Sequence, residues 1–147
     1  MTPKHINILL AEDDHDDCVF FDQAMKELSL DASLKIVSDG EQLMKLLADE
    51  RVEIPDVLFL DINMPRKSGT ECLEEIKKID RLKNLPVVML STSKDPQKIT
   101  FHFKIGANVY IHKPNDFSQL KQVIHHALPI SIEEIASKSK LNYILNA

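Results

Sequence analysis

The sequence predicts an α/β fold, a doubly wound five-stranded parallel sheet with helices on both faces. Three observations carry that prediction. Apolar runs at residues 6–11 (interrupted only by Asn7), 57–60 and 87–90 are near-continuous yet short, which suits strands buried on both faces rather than one-sided strands or ordinary helices. Weaker runs at 34–37 and 109–111 supply two further strands. Stretches of helical character separate all five, giving the (βα)₅ alternation that right-handed crossovers fold into a parallel sheet.

The intervening stretches carry helix-start chemistry. Asp39-Gly40 precedes residues 41–49, Ser68-Gly69 precedes 70–79, and Asp95-Pro96 precedes 97–104. An Asp or Ser side chain satisfies orphan N–H groups of a first turn, and proline presets φ at the first helical position. Asp116 with Gln119 forms a capping-box pattern before a last helix at 120–128, which Pro129 is expected to end. Val19, Phe20 and Ala24, then Leu43, Leu46 and Leu47, then Leu73, Ile76 and Ile79 recur at helical spacing and are expected to face the sheet. Residues 1–128 therefore read as one domain and 129–147 as a tail. Leu141, Ile144 and Leu145 share a helical face, which fits a short extra helix folded onto the domain, or a contact for a partner or a homodimer.

Composition narrows the function classes. With 147 residues, one domain with one core is expected. No apolar run approaches the roughly 20 residues that span a bilayer, and the N-terminal apolar segment is too short for a secretory signal, so a cytoplasmic location is expected. The formal net charge of −5 argues against a surface built to neutralise nucleic-acid phosphates. Cys18 and Cys72 have no Cys or His neighbour at metal-ligand spacing and read as buried thiols. The six histidines sit in no recognisable phosphotransfer motif and read mostly as surface or partner-contact residues.

The chemistry gathers after the strands. Strand one runs into Glu12-Asp13-Asp14, strand three into Asp61, strand four into Ser91, and strand five into His112-Lys113-Pro114. A doubly wound sheet binds ligands outside its carboxyl ends. Carboxylates crowded there repel one another unless a cation or a buried positive group compensates. Hard oxygen donors suit Mg²⁺, which takes one or two carboxylates and leaves positions for water and a phosphate oxygen. A phosphoryl group is the natural guest. Asp14, Asp16 and Asp17 lie past this pair and read as helix N-terminal charges.

At Ile8-Leu9-Leu10-Ala11-Glu12-Asp13, Leu60-Asp61-Ile62-Asn63-Met64-Pro65 with Gly69 behind it, Leu90-Ser91 and Lys113-Pro114, the chain resembles the receiver domains of two-component response regulators, across residues 4–128. Each motif alone is weak; the ordered set at strand ends is specific. The resemblance implies a flavodoxin-like sheet in the order 2-1-3-4-5 and a protein that is a phosphoacceptor rather than an enzyme. It implies Asp61 as the phosphoacceptor, and Mg²⁺ held by Asp13, Asp61 and the Asn63 carbonyl, with Glu12 acting through water. Lys113 would pair with Asp61 and then with a phosphoryl oxygen. Ser91 would be the hydroxyl that moves toward that oxygen, with Thr92 and Ser93 as alternatives if the register slips. Tyr110 would be the aromatic switch, and Pro114 marks a bond that is often cis in the family.

The implied partners are a sensor histidine kinase or phosphotransfer protein and a downstream protein, with no direct DNA or membrane contact. With the receiver ending near Leu128, output is expected through binding, as in stand-alone, chemotaxis-regulator-like receivers and those serving phytochrome-type kinases. Two rivals remain at this point. A haloacid-dehalogenase-type phosphatase also forms an aspartyl phosphate, but needs a second Asp where this chain has Asn63. A degenerate receiver acting as a scaffold sits poorly with the intact acidic, Ser91 and Lys113 set.

Overall fold

Strands β1 (Ile6–Ala11), β3 (Val57–Asp61) and β4 (Val87–Ser91) form from the three apolar runs, and every residue of β3 and β4 is buried. This computed structural model describes residues 5–114, 119, 122–126, 128, 129 and 143–145. Strands β2 (Ala32–Val37) and β5 (Val109–His112) flank the central three, and β6 (Tyr143–Leu145) lies beyond β5. The order is β2-β1-β3-β4-β5-β6, with every pairing parallel. The first five strands thus stand in the expected order.

Strand β6 corrects one expectation. Ile144 and Leu145 lie on a strand, not on an extra helix, while Leu141 falls outside the described residues. The outer edge of β5 presents backbone N–H and C=O groups, and a Tyr-Ile-Leu segment of high strand propensity satisfies them by pairing. Its register sets Ile144 beside Tyr110.

The helices begin where capping chemistry places them. Asp14 caps α1 (His15–Glu27), Asp39 caps α2 (Gly40–Ala48), and Ser68 with Glu71 closes a reciprocal capping box on α3 (Gly69–Lys78). Asp95 caps α4 (Pro96–Lys104), with Pro96 in the first turn. Residues 119, 122–126, 128 and 129 are helical, Pro129 included; the proposed Asp116 cap lies outside the described residues.

Alternate strand residues feed two cores, as the pleat requires. Leu9, Leu58, Met89 and Tyr110 pack under α2 and α3 with Leu43, Leu47, Leu73 and Ile76. Ile8, Leu10, Phe59 and Val88 pack on the other face with Phe21, Ala24, Ile124 and Leu128. Two stripe assignments need correction. Helix α1 buries Phe21, Ala24 and Met25, whereas Val19 is 37% exposed. The buried stripe continues from Asp17 at helical spacing, so the face that packs on the sheet also carries Asp17 toward Lys113. Ile79 caps α3 just past its last turn and is 39% exposed. Cys72 is buried, Cys18 partly so, and both are free thiols.

Candidate functional site

The parallel register brings four strand ends to one cleft. Asp61 is the last residue of β3 and pairs with Leu90, Ser91 is the last of β4 and pairs with His112, and Lys113 follows β5. Backbone bonds fix their relative heights: Lys113 N–H donates to the Ser91 carbonyl at 2.7 Å and Ile62 N–H to the Leu90 carbonyl at 3.1 Å. From β1, Glu12 N–H donates to the Val37 carbonyl at 3.0 Å. Gly69 opens α3 directly against the Asp61 backbone, where any Cβ would overlap the Asp61 carbonyl oxygen. The resulting cleft, about 470 Å³, is lined by Glu12, Asp13, Asp17, Asp61, Asn63 and Lys113 among others.

Lys113 is the hub. Its Nζ donates to Glu12 Oε1, to Asp17 Oδ2 at 2.9 Å and to Asp61 Oδ1 at 3.4 Å. Glu12, Asp61 and Lys113 are 2%, 5% and 8% exposed, so solvent screens these charges little. Burial pushes the Glu12 carboxyl up to about 9, Asp61 adding to the rise and Lys113 opposing it. Burial also raises Asp61, against Lys113 and a hydrogen bond from Glu12. For Lys113, burial works downward, but Asp61 and Glu12 outweigh it and hold the ammonium charged above the usual lysine range. These directions mark a site where buried carboxyl groups resist ionisation beside an ammonium held charged.

That resistance marks a shortage of positive charge. Among the described residues, Glu12, Asp13, Asp17 and Asp61 share a cleft in which Lys113 supplies the ammonium. Glu12, Asp13 and Asp61 each offer a carboxyl oxygen, all within 4.8 Å of one another, and Asp13 is exposed to the cleft. A small hard divalent cation matches this donor set and would favour the ionised form of its carboxyl groups.

The remaining sequence candidates fall as follows. Asn63 lines the cleft beside Asp61, as does Thr92. Ser91 is 1% exposed, and its hydroxyl accepts from Ser93 N–H at 3.1 Å. Tyr110 is fully buried and its hydroxyl donates to the Ser93 carbonyl at 3.0 Å. No peptide bond among the described residues is cis, so the Lys113–Pro114 bond is trans.

Sequence reasoning missed one contact and misplaced one residue. Asp17 stands in the first turn of α1, as expected of a helix N-terminal charge, but its carboxylate also binds Lys113. The available signal was its spacing, one helical turn beyond Asp13 in a helix starting at the strand end. His102 was grouped with surface histidines, yet it is 1% exposed, both ring nitrogens are engaged, and burial lowers its proton affinity.

A family model described as the response regulator receiver domain matches residues 8–125. Response regulator Rcp1 of Synechocystis sp. is 32% identical over 121 residues, covering 80% of this chain and 82% of its own. The crystal structure of the Mn(2+)-bound form of Rcp1 superposes with a TM-score of 0.77 at 31% identity, covering 82% of this chain and 90% of that one. The crystal structure of the phosphorylated cyanobacterial phytochrome response regulator RcpA gives 0.80 at 33% identity, covering 92% and 97%.

Proposed function

This chain belongs to the family of response regulator receiver domains, and we propose that it is a phosphorylation switch in which Asp61 accepts the phosphoryl group. The supporting observation is the buried Lys113 hub beside Asp61, in a cleft that Asp13 and Asn63 also line. In the step proposed, an Asp61 carboxylate oxygen attacks phosphorus of a phosphohistidine on a sensor histidine kinase or phosphotransfer protein. The P–N bond breaks, its electron pair stays on the imidazole, and an acyl phosphate forms. Lys113 meets one of the equatorial oxygens, supplying positive charge where it develops.

Mg²⁺ is the cofactor of this reading; Asp13, Asp61 and the Asn63 carbonyl would hold it, and it would neutralise phosphoryl oxygens. Glu12 is already occupied by Lys113, which favours contact with the cation through water. Rcp1 has been crystallised with Mn²⁺, and RcpA in a phosphorylated form. Ser91 and Tyr110 form the readout. The Ser91 hydroxyl leaves Ser93 N–H for a phosphoryl oxygen, and buried Tyr110 tracks the Ser93 loop to which it is bonded. The output is binding to a downstream protein in the cytoplasm, selected by population shift between two loop arrangements.

Incubation with a small phosphodonor and Mg²⁺ tests the proposal. An acid-stable, hydroxylamine-labile acyl phosphate is expected on the wild-type chain and absent from Asp61→Asn. Equal labelling of that variant would defeat it.

A further inference from the structure

Between Asp61 and Tyr110 runs a second connection, on the face of the sheet under α3 and α4. It starts at Gly69, whose N–H donates to the Ile62 carbonyl at 2.8 Å and whose bare Cα lies against the Asp61 backbone. The next residue, Thr70, places its hydroxyl oxygen 2.7 Å from His102 Nε2, while His102 Nδ1 lies 2.7 Å from the Lys98 carbonyl oxygen. A carbonyl oxygen only accepts, so Nδ1 carries the proton, Nε2 is the acceptor and Thr70 donates. The ring of His102 is 6.2 Å from that of Tyr110, tilted by 56°, and Phe103 flanks Tyr110 at 6.5 Å. Tyr110 in turn bonds the Ser93 carbonyl, and Ser93 N–H bonds Ser91 Oγ.

We propose that His102 is a positioning residue whose hydrogen bond from Thr70 latches α4 to α3 and keeps Tyr110 buried, coupling the backbone at Asp61 to the β4–α4 loop. The proposal rests on the reading of Asp61 and Tyr110 given above. His102 is 1% exposed, so a movement of α4 that parts it from Thr70 leaves Nε2 without a partner unless the ring also reaches water. A buried acceptor of this kind favours two discrete arrangements over a gradual slide. In the closed arrangement the imidazole edge fills the space beside Tyr110. In the open one that wall is withdrawn and the phenol is free to leave.

The full chain carries two tyrosines, Tyr110 and Tyr143. With Tyr143→Phe as background and fluorotyrosine incorporated, fluorine NMR counts buried and exposed Tyr110 directly. Thr70→Val keeps the side-chain shape and removes the donor. It is expected to lower the buried-to-exposed ratio about fivefold, the effect of one net hydrogen bond. Thr70→Ser restores the donor and is expected to return the ratio to near wild type; His102→Phe keeps a ring beside Tyr110 without the acceptor and repeats the loss.

An unchanged ratio in Thr70→Val, or in His102→Phe if the valine variant fails to fold, overturns the latch. So does a serine variant that behaves like valine, since the hydroxyl would then not be the cause. These arms are read on the resting protein. A separate arm adds Mg²⁺ and beryllofluoride to wild type: no binding there would defeat the phosphoryl-switch reading while the ratio still judges the latch.

Discussion

The two ends of one parallel sheet are built on opposite principles. At the amino ends, His5 lies 2.7 Å from Asp31 and 2.6 Å from Ser33, all three exposed, beside a cavity of about 250 Å³ walled by residues such as Leu34, Leu46 and Ile54. At the carboxyl ends, Glu12 and Asp61 are buried around one ammonium. The geometry of the first cluster is the tidier, yet water screens it and its net contribution to stability is small. The second is desolvated, so each charge there depends on the others. The sheet thus concentrates costly, mutually dependent charges at its carboxyl ends and leaves only screened ones at its amino ends.

The largest break in this contrast should come from Lys113→Ala. It leaves buried carboxyl groups without their counter-charge, and a loss of about 3–5 kcal/mol is expected by analogy with other buried pairs broken on one side. Urea unfolding in chelator measures it; a loss below about 1 kcal/mol would mean that the acidic cluster is effectively solvated. Gly69→Ala should follow, at about 2–3 kcal/mol, because a Cβ must push the start of α3 off the Asp61 carbonyl. The same variant should weaken Mg²⁺ binding, read by titration, since Asp61 moves with its backbone.

The pH dependence has a definite sign. Glu12 is raised from 4.5 to about 9 by burial, so its contribution to metal-free stability is fully present below 4.5 and lost as pH rises through 9. Lys113 is raised from 10.5 and keeps its contribution across that window. The melting temperature in chelator should therefore fall from pH 5 to pH 9, by several degrees on the scale of about 1 kcal/mol. Glu12→Gln should flatten the profile, and Mg²⁺ should stabilise most at the alkaline end. A profile that rises over this range would contradict the upward shift of the buried Glu12 carboxyl. The smallest effects belong to the other end: His5→Ala and Ser33→Ala should each stay within about 0.5 kcal/mol of wild type.

How much of this was legible depended on whether the determinant was local. Strands buried on both faces announce themselves as near-continuous apolar runs, and the caps at Asp39, Ser68 and Asp95 are set by residues in contact along the chain. Asp61, Glu12, Asp13, Ser91 and Lys113 were legible as polar residues ending strands, although their roles came from resemblance. The contact of Asp17 with Lys113 was not legible, because the two lie 96 positions apart. Nor was the burial of His102, which needs Thr70 from another helix. Strand β6 was missed because the period of a three-residue strand cannot be told from a helical face, and its edge partner lies far back in the chain.

The measurement closest to the central claim is chemical mapping of the phosphoryl group. Treating the chain with a small phosphodonor and Mg²⁺, reducing the acyl phosphate with borohydride and sequencing the peptides by mass spectrometry converts the acceptor aspartate to homoserine. The account predicts homoserine at position 61 and aspartate retained at 13 and 17. Homoserine at either of those positions, with Asp61 unchanged, would contradict it.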